Sequence, residues 1–313
     1  MLNKVHDRGA YDLIGDIHGH ADELIKLLKH MDYEDSPTGY CHSSRKIIFV
    51  GDFIDRGENI RQHKKLLGVI MPMVNNGHAL AVMGNHEFNA LAFHTQHEGQ
   101  PLREHTDKNI RQHQAFLNEY DLESELKSEV LKFFYSLPIW IEVDGIRVVH
   151  ACWDQHQIEV MKSKTKSGRL SHDLLVEAST EGSDAYKAIE ILLKGVEVKL
   201  SNGITFLDEG GDERNAVRVQ WWNSDARCLG EVAINVEIGE AGKQSIPDDV
   251  PRYTPDQPPC FIGHYWLSGD PKPLTNNVVC LDYSIANYGK LAAYRWDGEQ
   301  LLKGDKFTYT KDW

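Results

Sequence analysis

One stretch gives the clearest indication of the fold: Lys46-Ile47-Ile48-Phe49-Val50-Gly51-Asp52-Phe53-Ile54-Asp55-Arg56-Gly57. Its first part, Lys46 to Val50, is short and mostly apolar, which is typical of a buried strand. The strand runs directly into Gly51-Asp52, so a carboxylate stands where the strand ends. A strand that delivers an acidic side chain to its end predicts an α/β protein with a functional site at one edge of a sheet.

Two neighbouring apolar runs repeat this arrangement. Tyr11 to Ile14 precedes Gly15-Asp16-Ile17-His18-Gly19, and Ala79 to Met83 precedes Gly84-Asn85-His86-Glu87. Helical patterns separate the three runs. The resulting order, β-α-β-α-β, predicts that the opening sheet is parallel in part.

The rest of the chain adds a hairpin, a polar segment and further strands. Ile139 to Val143 and Ile146 to His150 are joined by Asp-Gly, a favoured hairpin turn, and Cys260 to Gly263 leads into His264. The less regular segment 153–259 is expected to be an insertion or cap over the site. The mixed strand order predicts two sheets within a single domain that spans residues 1–313.

Composition narrows the class of protein. The 313 residues are 41% hydrophobic and carry a formal charge of −13, which disfavours nucleic acid as a partner because like charges repel. The five cysteines are an odd number without a C-x-x-C pair, which fits a reducing cytoplasm. No apolar run is long enough for a membrane span, so we expect no membrane partner; the sequence does not indicate an oligomeric state.

Five short segments place an oxygen or imidazole ligand just after a strand. The ligands are aspartate, asparagine and histidine without cysteine, the donor set of Mn, Fe, Zn or Mg. Each segment alone is a weak signal, because a Gly-Asp pair is usually a turn and a lone buried histidine is usually a core residue. Five such segments in order, each closing an apolar strand, predict a metal centre.

The order GDxHG, GDxxDRG, GNHE, then H and GH, from Asp16 to His264, resembles the calcineurin-like metallophosphoesterases. The branch that it resembles most holds the Ser/Thr phosphoprotein phosphatases and the symmetrical diadenosine tetraphosphatases. This resemblance implies a four-layer α/β/β/α sandwich of two mixed sheets flanked by helices. It also implies two divalent metal ions at the strand ends. Mn²⁺ is the metal that the resemblance favours, with Fe, Zn or Mg as alternatives.

The resemblance also implies a role for each matching residue. It assigns to the metals Asp16, His18, Asp52, Asn85, His150 and His264, with Asp52 bridging the two ions. A hydroxide between the ions would attack phosphorus directly. Arg56 would clamp the phosphoryl oxygens, with Asn85 beside it, and His86 would be the general acid that Asp55 orients.

Four functions are compatible with these motifs. A phosphomonoesterase or phosphoprotein phosphatase leads, because Asp55 and Glu87 follow the protein-phosphatase pattern, from which the symmetrical tetraphosphatases depart. Diadenosine tetraphosphatase activity is the alternative, since His150-Ala151-Cys152 departs from the His-Gly-Gly of those phosphatases. A phosphodiesterase or nuclease comes third, because Tyr265-Trp266 follows His264 where those relatives usually carry a second histidine. A non-catalytic metal-binding regulator is the fourth.

Several further residues have competing interpretations. Arg218, or Arg214, could add a second phosphate contact, or could be exposed on an alternating strand. Trp221-Trp222 is expected to place one ring in the core and one half exposed. A solvated helical face is the favoured interpretation of His94, His97, His105 and His113.

Overall fold

Three parallel strands form the centre of the larger sheet in the computed structural model, which describes residues 9–56, 62–120, 124–207 and 213–310. They are the three predicted runs that end in Gly-Asp or Gly-Asn. The pairing aligns Ile14 with Phe49 and Phe49 with Ala81, the last residue of each strand. The three strands therefore end level with one another, and their following loops leave the same edge of the sheet. Gly57, the last residue of the second motif, lies outside the described residues.

The strands and helices alternate early and become irregular later in the chain. The strands are β1 Ala10–Ile14, β2 Arg45–Phe49, β3 Ala79–Ala81, β4 Gln96–His97, β5 Gln100–Pro101, β6 Trp140–Val143, β7 Ile146–Val149, β8 Glu197–Lys199, β9 Phe206–Leu207, β10 Glu213–Arg214, β11 Ala216–Arg218, β12 Cys260–Ile262, β13 Val278–Cys280, β14 Asp282–Tyr283, β15 Lys290–Trp296 and β16 Phe307–Tyr309. The α-helices are α1 Ala21–His30, α2 His63–Asn75, α3 Asn85–His94, α4 Asp107–Glu119, α5 Glu125–Ser136, α6 Gln155–Lys164, α7 His172–Ser179, α8 Asp184–Lys194 and α9 Leu229–Val232.

Two mixed sheets carry the site. The larger has the order β14-β15-β1-β2-β3, with β16 beside β15, and the smaller has the order β13-β12-β7-β6. In the smaller sheet β12 runs parallel to both β7 and β13, whereas β6 and β7 form the predicted antiparallel hairpin. The prediction of an α/β fold with two mixed sheets is therefore confirmed.

The alternation of side chains along each strand explains how the sheets pack. Leu13 and Ile48 share a buried apolar cluster with Val148 and Phe261 of the smaller sheet, so the two sheets face each other. The neighbouring residues of the larger sheet point the other way: Phe49 packs in a second cluster with the buried face of α1 and α2. Successive strand residues point to opposite faces, which accounts for both contacts.

The segment 153–259 holds α6 to α9 and β8 to β11, and hydrogen bonds tie it to the two later ligand loops. The backbone N–H of Ala151 donates to the carbonyl of Leu192, and the indole N–H of Trp221 lies 3.1 Å from the carbonyl of Ala151 and 3.0 Å from the Tyr265 hydroxyl. The prediction for Trp221-Trp222 is wrong, because both rings are buried. They lie in a turn after β11, where strand alternation does not apply.

Within the described part of the chain, no helix combines the length and the apolar character that crossing a bilayer requires.

Candidate metal centre

The ends of five strands bring the predicted ligands to one place. Asp16 follows β1, Asp52 follows β2 and Asn85 opens α3 just after β3. The other two follow parallel neighbours in the smaller sheet, His150 after β7 and His264 after β12. Because parallel strands end at the same edge and the two sheets face each other, the five loops converge.

Several of these loop residues have left-handed backbone conformations. The φ angles of His18, Asp52, Asp55, Arg56 and His264 lie between 46° and 73°. Such conformations cost about 1–3 kcal/mol each for residues other than glycine, and they cluster where function requires a particular side-chain direction. The chain therefore turns sharply at each of these positions and directs the side chains toward a common centre.

Two glycines make the close packing of the ligand loops possible. A Cβ atom on Gly263 would lie 2.0 Å from Oδ1 of Asp16, and one on Gly84 would lie 2.2 Å from Oδ1 of Asp52. Neither position has room for a larger residue, so close contact requires glycine at both.

Asp52 lies at the middle of the cluster. Its Oδ2 atom is 3.3 Å from Nε2 of His150 and 3.8 Å from Nε2 of His18. Asp52 belongs to two groups of possible ligands, and within each group the ligand atoms lie within 4.8 Å of one another. The first group is His18, Asp52 and His86, and the second is Asp52, His150 and His264. A shared carboxylate between two groups has the position that a bridging ligand needs.

The remaining two predicted ligands complete the arrangement. Oδ1 of Asn85 is 2.9 Å from Nδ1 of His264 and 3.1 Å from Nε2 of His150. Oδ2 of Asp16 accepts a hydrogen bond from the backbone N–H of His264 at 3.0 Å and lies 3.9 Å from Nε2 of His18. The structure thus brings together all six residues that the sequence nominated as ligands.

Backbone carbonyls fix the orientation of two ligand imidazoles. Nδ1 of His150 donates to the carbonyl of Val50 at 2.8 Å, and Nδ1 of His18 donates to the carbonyl of Ile54 at 3.1 Å. Because a carbonyl can only accept, each Nδ1 carries a proton and each Nε2 is directed at Asp52. Metal-binding histidines are usually held in this way.

The polar atoms of the site fit divalent cations. Within the described residues, seven buried side-chain nitrogen or oxygen atoms lack a hydrogen-bond partner, and four belong to this cluster: Oδ1 of Asp16, Nε2 of His18, Oδ2 of Asp52 and Nε2 of His264. Buried polar groups without partners are costly. Cations bound among these atoms would satisfy all four, and the donor set suits Mn, Fe, Zn or Mg.

Burial and neighbouring charges alter the acid–base behaviour of the ligands. Burial raises the pKa of Asp16 well above its usual range, and nearby Asp282 and Asp52 add to this effect. Burial would also raise the pKa of Asp52, but the adjacent His150 and His86 hold it well below its usual range. A bound cation would stabilise the ionised form of both carboxylates and so favour ligation.

Glu87 supports Asp52 from behind. Oε2 of its buried carboxylate accepts from the backbone N–H of Asp52 and of Gly84, both at 2.9 Å, and Oε1 accepts from that of Phe53 at 2.8 Å. Burial, followed by the charge of Asp52, raises the pKa of Glu87 to about 7. Glu87 thus ties the loop after β2 to the start of α3.

His86 and Asp55, the residues predicted to form the general-acid pair, lie near each other, and a third side chain lies closer to Asp55 than His86 does. Nδ1 of His86 lies 4.0 Å from Oδ2 of Asp55, whereas Nδ1 of His113 lies 2.6 Å from the same oxygen. His113 is only 5% exposed, so the prediction of a solvated histidine face is wrong for this residue. It faces inward from α4, and the backbone N–H of Phe116 on the same helix donates to Oδ1 of Asp55 at 3.1 Å.

Arg56 stacks on an aromatic ring at the mouth of the site. Its guanidinium carbon lies 3.3 Å from the ring centroid of Trp266. The backbone N–H of Trp266 donates to Oδ2 of the buried Asp282 at 2.8 Å. Burial lowers the pKa of Arg56, and the nearby carboxylates of Asp282, Asp52 and Asp16 offset only part of this effect.

The predicted second arginine lies in a cleft next to the ligands. Arg218 and Arg214 place Nη2 atoms 3.5 Å and 3.4 Å from the same oxygen of Glu197. Between the described residues, no hydrogen bond joins either arginine to the six predicted ligands. Both line a cleft of 1320 Å³ together with Arg56 and His264. The structure therefore puts Arg218 near the site without bringing it onto the ligands.

Sequence reasoning missed three supporting residues. His113 gave no usable signal, because it contacts Asp55 from a helix 58 residues away. Trp266 signals from the sequence only that a second histidine is missing after His264, and not that its ring contacts Arg56. Asp282 does carry the signal used for the other loops, since it directly follows the apolar run of β13 and Leu281.

Known proteins resemble a little over half of this chain. The asymmetrical bis(5'-nucleosyl)-tetraphosphatase PrpE of Oceanobacillus iheyensis is 28% identical over 174 residues, which cover 55% of this chain and 67% of that protein. The protein of the same name from a Geobacillus species is 26% identical over 175 residues, which cover 55% and 69%.

Solved structures resemble the whole chain more distantly. A Saccharomyces cerevisiae protein serine/threonine phosphatase aligns over 98% of this chain and 81% of its own, with 12% identity and a TM-score of 0.49. A cold-active protein-tyrosine phosphatase of a Shewanella species aligns over 94% and 80%, with 16% identity and a TM-score of 0.45. The family model for calcineurin-like phosphoesterases matches residues 11–225, which make up most of the segment that carries the converging loops. The chain therefore belongs to the calcineurin-like phosphoesterase family.

Proposed function

We propose that this metallophosphoesterase hydrolyses phosphate monoesters and that it uses two divalent cations held around Asp52. The observation that carries the proposal is the set of buried, unpartnered ligand atoms on both sides of that carboxylate. Asp16, His18 and Asp52 would hold one ion, and Asp52, Asn85, His150 and His264 the other. Two bound cations would acidify a water molecule and polarise the phosphoryl oxygens.

The protein side chains would supply the remaining steps. Arg56 would bind the non-bridging phosphoryl oxygens bidentately, which a planar guanidinium does and an ammonium does not. His86 would give its proton to the departing oxygen, and Asp55 would orient the imidazole. The alkoxide that leaves a phosphoserine is basic and needs a proton from a general acid. The presence of both His86 and Asp55 therefore supports a monoester substrate over a polyphosphate.

We propose further that segment 153–259 is a cap within one domain, 1–313, and that it supplies Arg218 to the substrate. The hydrogen bonds from Trp221 to Ala151 and Tyr265 support this, because they attach the segment beside both His150 and His264. Arg214 shares Glu197 with Arg218 and is the alternative phosphate contact.

Hydrolysis of dinucleotide polyphosphates is a second candidate, and the cleft favours it. Its walls carry Arg56, Arg214 and Arg218 together with the rings of Trp266 and Tyr288, the latter fully exposed. Several phosphates and a stacked base would find partners there. The names of the bacterial relatives point to the same substrate class.

A substrate panel separates the candidates. Phosphopeptides, diadenosine tetraphosphate and bis-p-nitrophenyl phosphate would be assayed with Mn²⁺, and kcat/KM would be compared between wild type and His86→Asn. If the monoester proposal holds, phosphopeptides are the best substrates and lose most in the variant. Preference for the dinucleotide would overturn it in favour of the second candidate. A metal-loaded protein inactive on the whole panel and on p-nitrophenyl phosphate would mean a regulator instead.

A further inference from the structure

A pair of histidines lies behind the Asp55–His86 pair, on the side away from the metal ligands. Nδ1 of His113 lies 2.6 Å from Oδ2 of Asp55, and Nε2 of His113 lies 3.1 Å from Nε2 of His94. The four side chains form a continuous row from His86 through Asp55 and His113 to His94, which is partly exposed.

The carboxylate of Asp55 is held from two directions. Oδ1 accepts from the backbone N–H of Phe116 at 3.1 Å, and Oδ2 accepts from Nδ1 of His113. Asp55 itself has a left-handed backbone, and its N–H donates to Nε2 of His63 at 2.8 Å. With both oxygens occupied, the carboxylate cannot rotate about its axis without breaking one of these bonds.

Aromatic packing fixes the plane of the His113 ring. The ring stacks on Phe116 with a centroid distance of 4.8 Å and an angle of 14°, and it lies 5.0 Å from Phe93. One of the two Nε2 atoms of His113 and His94 must donate to the other, which fixes the ring further. Burial, followed by the proximity of His113, lowers the pKa of His94 to about 3, so His94 is neutral at physiological pH.

We infer that His113, braced by His94, is a positioning residue for the general acid: it directs Oδ2 of Asp55 toward Nδ1 of His86. This inference rests on the proposed function, because it assigns His113 a task in protonating the leaving group. His113 contacts neither the substrate nor the metal ligands in this role. Its contribution therefore depends on how much the leaving oxygen needs a proton.

Leaving-group dependence separates positioning from mere support of the fold. An alkyl phosphate expels a basic alkoxide and needs the acid, whereas p-nitrophenyl phosphate expels a stable phenolate and needs it little. A general fold defect would slow both substrates to the same extent. A misplaced Asp55 would slow the alkyl phosphate selectively.

The test compares His113→Asn, His113→Gln and His113→Leu in the full-length Mn²⁺-loaded protein. Asparagine keeps an amide N–H close to the Nδ1 position, whereas glutamine carries its amide toward His94 and leucine has none. His105→Asn is the matched control, because His105 is exposed, stacks on Phe93 and donates through Nε2 to the Phe93 carbonyl. No hydrogen bond between the described residues joins it to Asp55.

We expect His113→Leu and His113→Gln to lower kcat/KM for a phosphoserine peptide by about tenfold to a hundredfold, a part of what a general acid contributes. The same variants should change the value for p-nitrophenyl phosphate by less than about threefold, and His113→Asn should recover most of the loss. Mn²⁺ affinity, measured by calorimetry, should match wild type in all three variants. The control should behave as wild type.

Equal losses on both substrates, or no rescue by asparagine, would overturn the inference. If leucine does not fold, the comparison of asparagine with glutamine decides. Failure of the proposed function looks different, because the wild-type protein would then be inactive on both monoesters. An active wild type with unselective His113 variants would sink only the present inference.

Discussion

Nε2 of His150 lies 3.3 Å from Oδ2 of Asp52, and both side chains are fully buried. Burial would lower the pKa of His150, but the carboxylate of Asp52 outweighs it and raises the value to about 10. The two groups therefore form an ion pair in the protein without metal. A divalent cation would replace the imidazole proton, because a histidine must be neutral to ligate. Metal binding should accordingly weaken as the pH falls.

The close approach of Gly263 to Asp16 predicts the effect of a single methyl group. In Gly263→Ala the added Cβ would lie 2.0 Å from Oδ1 of Asp16, so the ligand must move. We expect Mn²⁺ affinity to fall by more than about tenfold, measured by calorimetry.

The control for that variant is Gly68→Ala, in the exposed part of α2, where an added Cβ meets nothing within 4 Å. It should bind Mn²⁺ normally and gain about 0.5–1 kcal/mol in free energy of unfolding, since alanine is the better helix former. Unchanged metal affinity in Gly263→Ala would contradict the packing described here.

Replacing Glu87 should weaken metal binding through the backbone that this residue holds. In Glu87→Gln, one of the two oxygens that accept from Asp52, Gly84 and Phe53 becomes an NH₂ group that faces an N–H donor. Asp52 should lose its fixed position, and Mn²⁺ affinity should fall by about 10- to 100-fold, as for other groups that orient ligands. The measurement is a Mn²⁺ titration followed by electron paramagnetic resonance; wild-type affinity would mean that Glu87 does not hold Asp52.

Removing the Trp266 ring should weaken phosphate binding by Arg56. The stacking of Arg56 on its ring at 3.3 Å is worth about 0.5–2 kcal/mol in comparable contacts, so Trp266→Ala should lower kcat/KM by about 2- to 30-fold. Trp266→Phe keeps a ring and should lose less. Inhibition by inorganic phosphate should weaken in parallel, and a loss of kcat/KM without weaker phosphate inhibition would show that the ring acts on something other than Arg56.

The ionisation of Asp55 should make the free energy of unfolding depend on pH. Burial would raise its pKa, but His113 beside it holds the value below its usual range. The unfolded value is about 3.9. A carboxylate with a depressed folded pKa contributes stability that is complete above the unfolded pKa and is lost as the pH falls toward the folded pKa.

The corresponding comparison is Asp55→Asn against wild type, both treated with chelator and unfolded in urea. We expect a difference in unfolding free energy of about 1.5–3 kcal/mol at pH 7, the range for hydrogen bonds to charged groups. The difference should shrink below about pH 4. A difference that stays constant or grows in acid would argue against an ionised Asp55 paired with His113.

The parts of the site that local sequence determines were predictable. Asp16, Asp52 and Asn85 each follow an apolar run, and parallel pairing of those runs requires their ends to meet at one edge. His150 and His264 follow the same logic in the second sheet. Spacing along the chain therefore contained the information needed to nominate the ligands.

Contacts between distant segments were not predictable in the same way. Whether His113 faces solvent or Asp55 depends on how α4 docks, and no period in the sequence reports that. The stacking of Trp266 on Arg56 joins residues that are 210 positions apart. Trp221 and Trp222 lie in a turn, and for that reason the strand rule applied to them fails. The sequence indicated the ligand set, and tertiary packing determined what holds it in place.

We propose above that Asp52 joins two cation sites in one catalytic centre. The most direct measurement is the number of Mn²⁺ ions bound per chain, by calorimetry and elemental analysis after chelation, together with hydrolysis of p-nitrophenyl phosphate at each metal ratio. We predict two ions per wild-type chain and activity that rises with metal loading. Asp52→Asn should bind them far more weakly and lose more than about a hundredfold in activity, while the exposed Asp173→Asn should match wild type. Full activity in the chelated protein, or two tightly bound ions in Asp52→Asn, would show that Asp52 does not join two catalytic cation sites.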